Sequence, residues 1–421
     1  MHWKQRINQD AQKENNLALV IRAIHNDPDC SRVRLVETVS LKQATITKIV
    51  KQLMMWGLVS ETEKIDNPQT VSAGRKPVRL KLNSDKYLIL SVRLNRDYLR
   101  VALFDIMGGL IQMKEVPIDA FYGARASMDR MKEMIHELVN SVDIPILGVG
   151  VALPGPFDAR NNRITLMSGF PGWDQIDISG ELRELLGLPI FLDHDANCGA
   201  LAEQWYGHHT HDGNLLFVAC DRGIGAGLII DGRIYRGALG FAGEIGHTSI
   251  DINGPRCECG NHGCLELYGS TRAMEQEYRR VRCDPLLPSI TTTPITARRI
   301  LSMVRGGDAA ACQVYRRTVS YLAFGLVSVI NTLNPNVVVF GDPLVNGGAL
   351  FLETVQQVLH SYLMKDVYDN LTIMVSGLRG DTMLLGASAL VLERMLDQPS
   401  AAFGDVAESA ADVWQEEPSA S

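Results

Sequence analysis

The segment from Gly243 to Glu266, GEIGHTSIDINGPRCECGNHGCLE, constrains this chain more than any other stretch. It offers His247, then Cys257, Cys259 and Cys264, with Gly260 and Gly263 between the last two thiols. Thiolates and a neutral imidazole are the ligands Zn²⁺ prefers, and four of them close a tetrahedral structural site. Cysteines this close together do not suit a helix, whereas a glycine-rich knuckle can wrap them around one ion. Three buried thiols beside an unrelated histidine would read the same. Yet the chain has only eight cysteines, and three of them fall within eight residues. An odd cluster in a chain whose first residues lack an apolar signal core also disfavours disulfides. The expectation is a structural zinc ion held by His247, Cys257, Cys259 and Cys264.

The same residues carry a family resemblance. Glu244, Gly246 and His247, followed by Cys257, Cys259, Gly260, Gly263, Cys264, Leu265 and Glu266, resemble the signature of the ROK family. That family groups sugar-responsive repressors with sugar kinases, and the resemblance runs from about residue 10 to about residue 395. It implies an α/β, actin-like fold of two RNase-H-like lobes around a sugar cleft. Residues 83–195 would form the first lobe, completed by a helix near 383–395, and 196–382 the second, with the zinc site. In the family's kinases ATP enters the same cleft, so the resemblance alone does not separate enzyme from regulator.

A chain of 421 residues with 46% hydrophobic content has room for two or three well-filled domains. It has no uninterrupted apolar run of about 18 residues, the length of a membrane span. Its polar start, MHWKQRINQDAQKENN, points to the cytoplasm. Cys30, Cys198, Cys220, Cys283 and Cys312 are scattered and read as small buried hydrophobes. The net charge of −7 conceals an asymmetry: residues 1–82 hold 14 Lys or Arg against 8 Asp or Glu, and the remainder 27 against 40. A small basic domain on an acidic body implies an anionic partner at one end.

Within residues 1–82 the pattern is helical. Asn16–Asn26 has apolar residues at 17, 20, 21 and 24, and Asp27-Pro28-Asp29 ends it. Ser31 caps a second helix through RVRLVETVS. After Ser40–Leu41 a third helix, KQATITKIVKQLMMWG, turns Ile46, Ile49, Val50 and Leu53 inward, and a strand begins at Leu58. Two helices about a short turn, then strand–loop–strand, outline a winged helix-turn-helix. Gln43, Thr45, Thr47, Lys48 and Lys51 remain on the outer face for base edges and phosphates of a major groove. The wing, from about Glu61 to Leu82, has at its tip Gly74-Arg75-Lys76-Pro77, slim and basic enough for a minor groove. A module that only holds a dimer together, its charges merely solvated, is the plainer alternative. A Gly-Arg-x-Pro wing resembles that of the NagC/XylR-type repressors of the family.

LILSVRLNRDYLRVALFD (88–105) reads as a hairpin around Asn95–Asp97. Here the resemblance places the kinases' DxGGT phosphate loop, which needs a carboxylate for metal and glycines for close backbone approach. This chain has Arg93, Asn95, Arg96 and Asp97 instead. A second phosphate segment, Asp221 to Gly227, keeps its glycines, but Asp221 would repel nucleotide.

The sugar half looks intact. ILGVGVALPGPFD (146–158) is a buried strand entering a turn, and Ser168-Gly169 follow where the resemblance implies contact with a hydroxyl. PIFLDHDANCGALAEQW (189–205) reads as strand, polar turn and a helix from about Ala196. His194-Asp195 match the kinases' Asn-Asp pair, whose Asp is the general base, although a carboxylate there is also an ordinary helix cap. His194 in place of Asn leaves the sugar open. Glu244, His247 and Glu266 complete the implied set of hydroxyl acceptors, one His247 nitrogen on zinc and the other on ligand. Residues 320–345 read as a buried helix, an Asn-Pro turn and a strand ending at Gly341-Asp342. The small, acidic tail 397–421 reads as disordered.

These features imply a repressor that binds operator DNA as a homodimer, with tetramers open, and answers to a monosaccharide or sugar phosphate. Two alternatives stand: a sugar kinase with a vestigial DNA-binding module, and a repressor controlled by a partner such as a sugar-transport protein.

Overall fold

The computed structural model describes residues 9–64, 77–118, 123–155, 157–158, 163–164, 172–207, 213–282 and 295–404. The chain opens with α1 (Gln9–Asn26), α2 (Arg32–Val39) and α3 (Gln43–Met55), then β1 (Val59–Lys64) and β2 (Val78–Leu82). Ser31 Oγ accepts from Arg34 N to cap α2, and Ser40, in the left-handed region at φ 53°, breaks the chain before α3. β1 and β2 pair antiparallel, Val59 opposite Leu82 and Lys64 opposite Val78. Helix α1 begins seven residues before the expected Asn16. QDAQKEN has no apolar periodicity, but it contains good helix formers and an acidic first turn at Asp10.

Two five-stranded sheets follow. The first contains β3 (Leu88–Leu94), β4 (Tyr98–Asp105), β5 (Leu110–Pro117), then α4 (Gly123–Val139) and β6 (Ile146–Leu153). A two-residue ribbon of β7 (Phe157–Asp158) and β8 (Arg163–Ile164), then α5 (Ile178–Leu186), lead to β9 (Ile190–His194). Helix α6 (Asp195–Tyr206) crosses to the second sheet: β10 (Leu215–Cys220), β11 (Ile224–Ile230) and β12 (Arg233–Ile234). Then come α7 (Glu266–Gly269), α8 (Thr271–Arg282), α9 (Ala297–Arg305) and α10 (Ala309–Leu333). β13 (Val337–Gly341), α11 (Ala349–Tyr362), α12 (Lys365–Asp369), β14 (Thr372–Val375) and α13 (Thr382–Met395) complete the order.

The sheets repeat one topology. The first runs β5-β4-β3-β6-β9 and the second β12-β11-β10-β13-β14, each an antiparallel meander extended by two parallel strands. This is the two-lobed, actin-like α/β architecture expected. α13 packs back on β3, β4, β6 and β9 of the first lobe, as its apolar run implied, and on α6. Glycines set that approach: a Cβ on Gly150 of β6 would lie 1.9 Å from Ala387 O.

One expectation is corrected. Residues 397–404 are not a disordered tail, because the chain turns after α13 into another helical turn that buries Phe403 against the Tyr87 ring at 5.9 Å. Residues 405–421 lie outside the described residues. No helix among the described residues is long and apolar enough to cross a membrane.

Candidate functional site

Strand ends from both sheets meet at one cleft, where ligands of open α/β sheets bind. Its empty space, open solvent included, is about 720 Å³, and it is lined by residues at the ends of β3, β6, β9, β10 and β13 and by Glu244, His247 and Glu266. His194 projects between Gly155, just after β6, and Gly225 of β11. A Cβ on Gly155 would stand 2.3 Å from His194 Nε2 and 2.6 Å from Glu244 Oε1, and one on Gly225 2.8 Å from His194 Cε1. His194 Nε2 lies 3.5 Å from Asp195 Oδ1 and 3.9 Å from Glu244 Oε1. The cap residue of α6 is His194, not Asp195, which opens the first turn with its carboxylate lining the cleft.

Beneath this pair lies a residue the sequence reading missed. Asp193 is 1% exposed, and its Oδ1 accepts from His194 N at 2.8 Å and Asn197 Nδ2 at 2.7 Å. Its Oδ2 accepts from Arg236 Nε at 2.9 Å and Nη2 at 2.5 Å. Arg236 belongs to the loop leading to Glu244, so this partly buried pair ties that loop to the strand end carrying His194 and Asp195.

His247, Cys257, Cys259 and Cys264 come together, their ligating atoms all within 4.8 Å of one another. Cys257 Sγ is 3.7 Å from His247 Nδ1, and Cys259 Sγ is 3.6 Å from Cys264 Sγ. A tetrahedron with arms of about 2.3 Å has edges of roughly 3.8 Å, so this cluster could bind a metal ion. The knuckle depends on Gly263, at φ +62°, where a Cβ would fall 1.8 Å from Asp251 O. With Nδ1 turned to the cysteines, Nε2 is the His247 nitrogen left for the cleft. Glu266 Oε1 lies 3.7 Å from both Nδ1 and Cys257 Sγ.

The opposite end of the cleft is filled by Arg93, whose side chain is 3% exposed. Its Nη1 donates to Asp381 Oδ1 at 2.6 Å, and its Nη2 to Asp342 Oδ1 at 3.2 Å and Oδ2 at 3.3 Å. Arg100 Nη1 takes Asp381 Oδ2 at 2.6 Å and stacks 3.9 Å from the Tyr98 ring. Asn95 Nδ2 reaches Asp221 Oδ2 at 3.4 Å, and Thr271 Oγ1 donates to Asp221 Oδ1 at 3.3 Å. Burial pushes Asp342 up to about 7; Arg93 opposes the rise, while Asp221, Asp195 and Asp381 add to it. Burial also raises Asp221. Burial alone would raise Asp381 too, but Arg93 and Arg100 hold it below the usual carboxylate range.

The Asp342 shift sets a pH dependence. Its folded pKa lies above the unfolded value, so folding takes up a proton and stability falls as pH rises from about 4 to about 7. Asp342→Asn removes this contribution, so urea melts at pH 4.5 and 7.5 should show the parent losing ground to the variant at the higher pH. An unchanged difference would contradict the raised pKa.

Of the expected hydroxyl-binding residues, His194, Asp195, Glu244, His247 and Glu266 share this cleft. Ser168 and Gly169 lie outside the described residues, as do Arg75 and Lys76. Gln43, Thr47, Lys48 and Lys51 are exposed on α3; Thr45 is half-buried, and Thr47 Oγ1 donates to Gln43 O at 2.9 Å.

A xylose repressor from Caldicellulosiruptor bescii is 29% identical to this chain over 400 residues, covering 92% of this chain and 98% of that protein. Among solved structures, a ROK family transcriptional regulator, a homologue of the E. coli MLC protein, matches with a TM-score of 0.78 and 27% identity, over 95% of this chain and 100% of that one. A ROK hexokinase from Thermus thermophilus matches with a TM-score of 0.59 and 26% identity, over 72% of this chain and 97% of its own. Residues 89–394 match the ROK family itself, and the chain belongs to that family.

Proposed function

We propose that this chain is a sugar-responsive transcriptional repressor: its N-terminal module binds operator DNA, and a sugar or sugar phosphate in the cleft controls that binding. The carrying observation is that a three-helix module with a paired ribbon is joined to a cleft that gathers His194, Asp195, Glu244, His247 and Glu266 at one end and buries Arg93 at the other. The relatives support it, since the repressor and regulator align over 92% and 95% of this chain, against 72% for the hexokinase.

In this reading the module is a winged helix-turn-helix and α3 enters the major groove. Gln43, Thr45 and Thr47 read base edges, Lys48 and Lys51 meet phosphates, and Arg75 and Lys76 at the wing tip take the minor groove. Arg32, Arg34 and Arg79 are engaged within the module by Glu61, Asp27 and Asp29. Lys48→Ala or Lys51→Ala should weaken all sequences alike and reduce the salt slope by roughly one unit. Thr47→Ala or Gln43→Ala should instead relax discrimination at single base pairs by about 1–3 kcal/mol. Binding isotherms at several salt concentrations check this, and an affinity indifferent to salt would contradict it. A homodimer would place two such helices on successive half-sites; tetramers and control by a sugar-transport protein are extensions of the same reading.

In the cleft, Glu244, Asp195 and His194 accept or exchange protons with sugar hydroxyls, joined by Ser168, Gly169, Glu266 and the free nitrogen of His247. Convergent acceptors of this kind reject a ligand lacking the matching hydroxyl strongly. Zinc on His247, Cys257, Cys259 and Cys264 would fix the imidazole; when bound it supplies structure, not chemistry on the ligand.

No kinase turnover is expected. Phosphoryl transfer needs a backbone cradle and a metal to neutralise developing charge. Here Arg93, Asn95, Arg96 and Asp97 replace the loop, and Asp195, Asp221, Asp342 and Asp381 surround the buried Arg93 guanidinium. ADP release with hexoses or pentoses at about 1 s⁻¹ or faster, an ordinary enzyme rate, would favour the kinase reading.

A further inference from the structure

The two helices that leave the cleft both end against α1 of the N-terminal module. α6 begins with Asp195 and finishes with Trp205 and Tyr206, about 17 Å away at helical rise. α13 is capped by Asp381, the carboxylate that Arg93 and Arg100 clasp, and carries Glu393 in its last turn. The pair cannot slide independently: a Cβ on Gly386 of α13 would meet Cys198 O of α6 at 1.8 Å. Tyr206 Oη and Ser388 Oγ, 3.2 Å apart, tie them again further along.

At the far end the contacts are specific. Glu393 Oε2 accepts from Arg22 Nη2 at 2.6 Å and from Trp205 Nε1 at 3.3 Å. The Arg22 guanidinium carbon sits 5.0 Å from the centre of the Trp205 ring, and His25 meets that ring edge-on at 4.9 Å. Trp205 is 5% exposed, while the Arg22 and Glu393 side chains keep 31% and 20% of their surface, so the joint sits at the rim of the buried cluster. Beyond α13, Ser400 N donates to Glu14 Oε2 at 2.8 Å, again on α1. Leu17, Val20, Ile21 and Ile24 of α1 share one buried cluster with Leu35 of α2 and with Ile46, Ile49, Val50 and Leu53 of α3. A displacement of α1 therefore reaches the helix that presents Gln43 to Lys51.

We infer that Trp205, Glu393 and Arg22 are the positioning residues of the response, joining α6 and α13 as one lever to the DNA-binding module. The inference rests on the sugar-responsive reading above and specifies how that site is coupled. Packed helices transmit displacement as rigid bodies because cores have discrete arrangements. A ligand engaging Asp195 acts on the first turn of α6, and the clasp at Asp381 acts on the first turn of α13. The Arg22–Glu393–Trp205 joint converts both into a change in the setting of α1. A ligand shifts DNA affinity only by its differential affinity for the two settings, so cutting the joint removes coupling without removing the sugar site.

The test uses the full chain, a DNA fragment selected by the parent from random duplexes, and D-xylose, D-glucose and N-acetyl-D-glucosamine, each also as its phosphate ester, as probes. DNA Kd is measured with and without each saturating sugar, and sugar Kd is measured on free protein. Arg22→Gln and Trp205→Leu should keep the sugar Kd within about twofold while the sugar-dependent shift in DNA Kd, of order 5–150-fold for coupled sites, collapses towards one. Arg22→Lys, which retains the charge, should restore part of the shift. Should Trp205→Leu fail to fold, Arg22→Gln decides alone, since Arg22 is partly exposed and replaceable. Variants that melt earlier yet keep the parent's shift would overturn the inference and leave the joint purely structural. A parent that binds DNA but ignores every sugar would overturn the sugar-responsive reading itself, a different result.

Discussion

Arg93→Ala is expected to destabilise the chain by about 3–5 kcal/mol, the cost of leaving buried charge unpaired. Its guanidinium is the cation between Asp342 and Asp381, whose side chains are 10% and 4% exposed. Removing it leaves Asp342 beside Asp221, Asp195 and Asp381 without the cation that opposes its raised pKa, while Asp381 keeps Arg100. The loss should therefore exceed that from Arg100→Ala, and Arg93→Met combined with Asp342→Asn should recover part of it, because an apolar group facing a neutral amide buries no charge. Urea unfolding of the four proteins checks the order. A cost for Arg93→Ala of about 1 kcal/mol or less would mean that this end of the cleft is wet and loosely held.

On the proposed zinc site, Cys259→Ser is expected to lose its metal and, with it, the response to sugar. The thiol is exposed, so its replacement costs little packing. Its Sγ lies 3.6 Å from Cys264 Sγ, and without it the knuckle holds only three ligands. Metal ligands and their supports commonly change metal affinity or activity by 10–100-fold when altered. His247 would no longer be oriented, and Glu244 and Glu266, at the two ends of the knuckle, would lose their fixed separation. Metal content by mass spectrometry should fall from about one zinc per chain to near zero, and sugar affinity should fall at least about tenfold, while α1–α3 remain folded. Sugar binding at the parent's affinity in a metal-free variant would separate zinc from the effector site.

Where chemistry is local, the sequence was legible. The four residues of the knuckle, His247, Cys257, Cys259 and Cys264, are close along the chain, and the fold brings their ligating atoms within 4.8 Å of one another, where they could bind a metal ion. The β3–β4 hairpin was equally readable, since apolar β-branched residues flank a turn in which Asp97 N donates to Asn95 Oδ1 at 2.7 Å. Strand β5 was not, because its side chains are mostly exposed and Leu110–Met113 show no alternation. The repeated sheet order was implied only by the family resemblance, through its two RNase-H-like lobes, for it is a repeat of connection and not of residues. Long-range ion pairs leave no local trace: Arg93 lies 249 residues from Asp342 and 288 from Asp381. An arginine inside the apolar run LILSVRL was the available signal, since a cation there must find a buried partner. Phe403 and Ser400 show the opposite error, where small-residue composition suggested disorder but one aromatic anchors the turn to Tyr87 and α1.

The most direct measurement is a reciprocal titration on one full-length preparation. Fluorescence anisotropy gives the Kd of a selected operator fragment with and without sugar, and calorimetry gives the sugar Kd with and without that fragment. Two linked sites must change each other's affinity by the same factor. The expected result is operator release, with sugar weakening DNA binding at least about tenfold and DNA weakening sugar binding equally, while no ADP appears when ATP is added. Sugar binding that leaves the operator Kd unchanged, or that turns over ATP, would contradict a repressor controlled through this cleft.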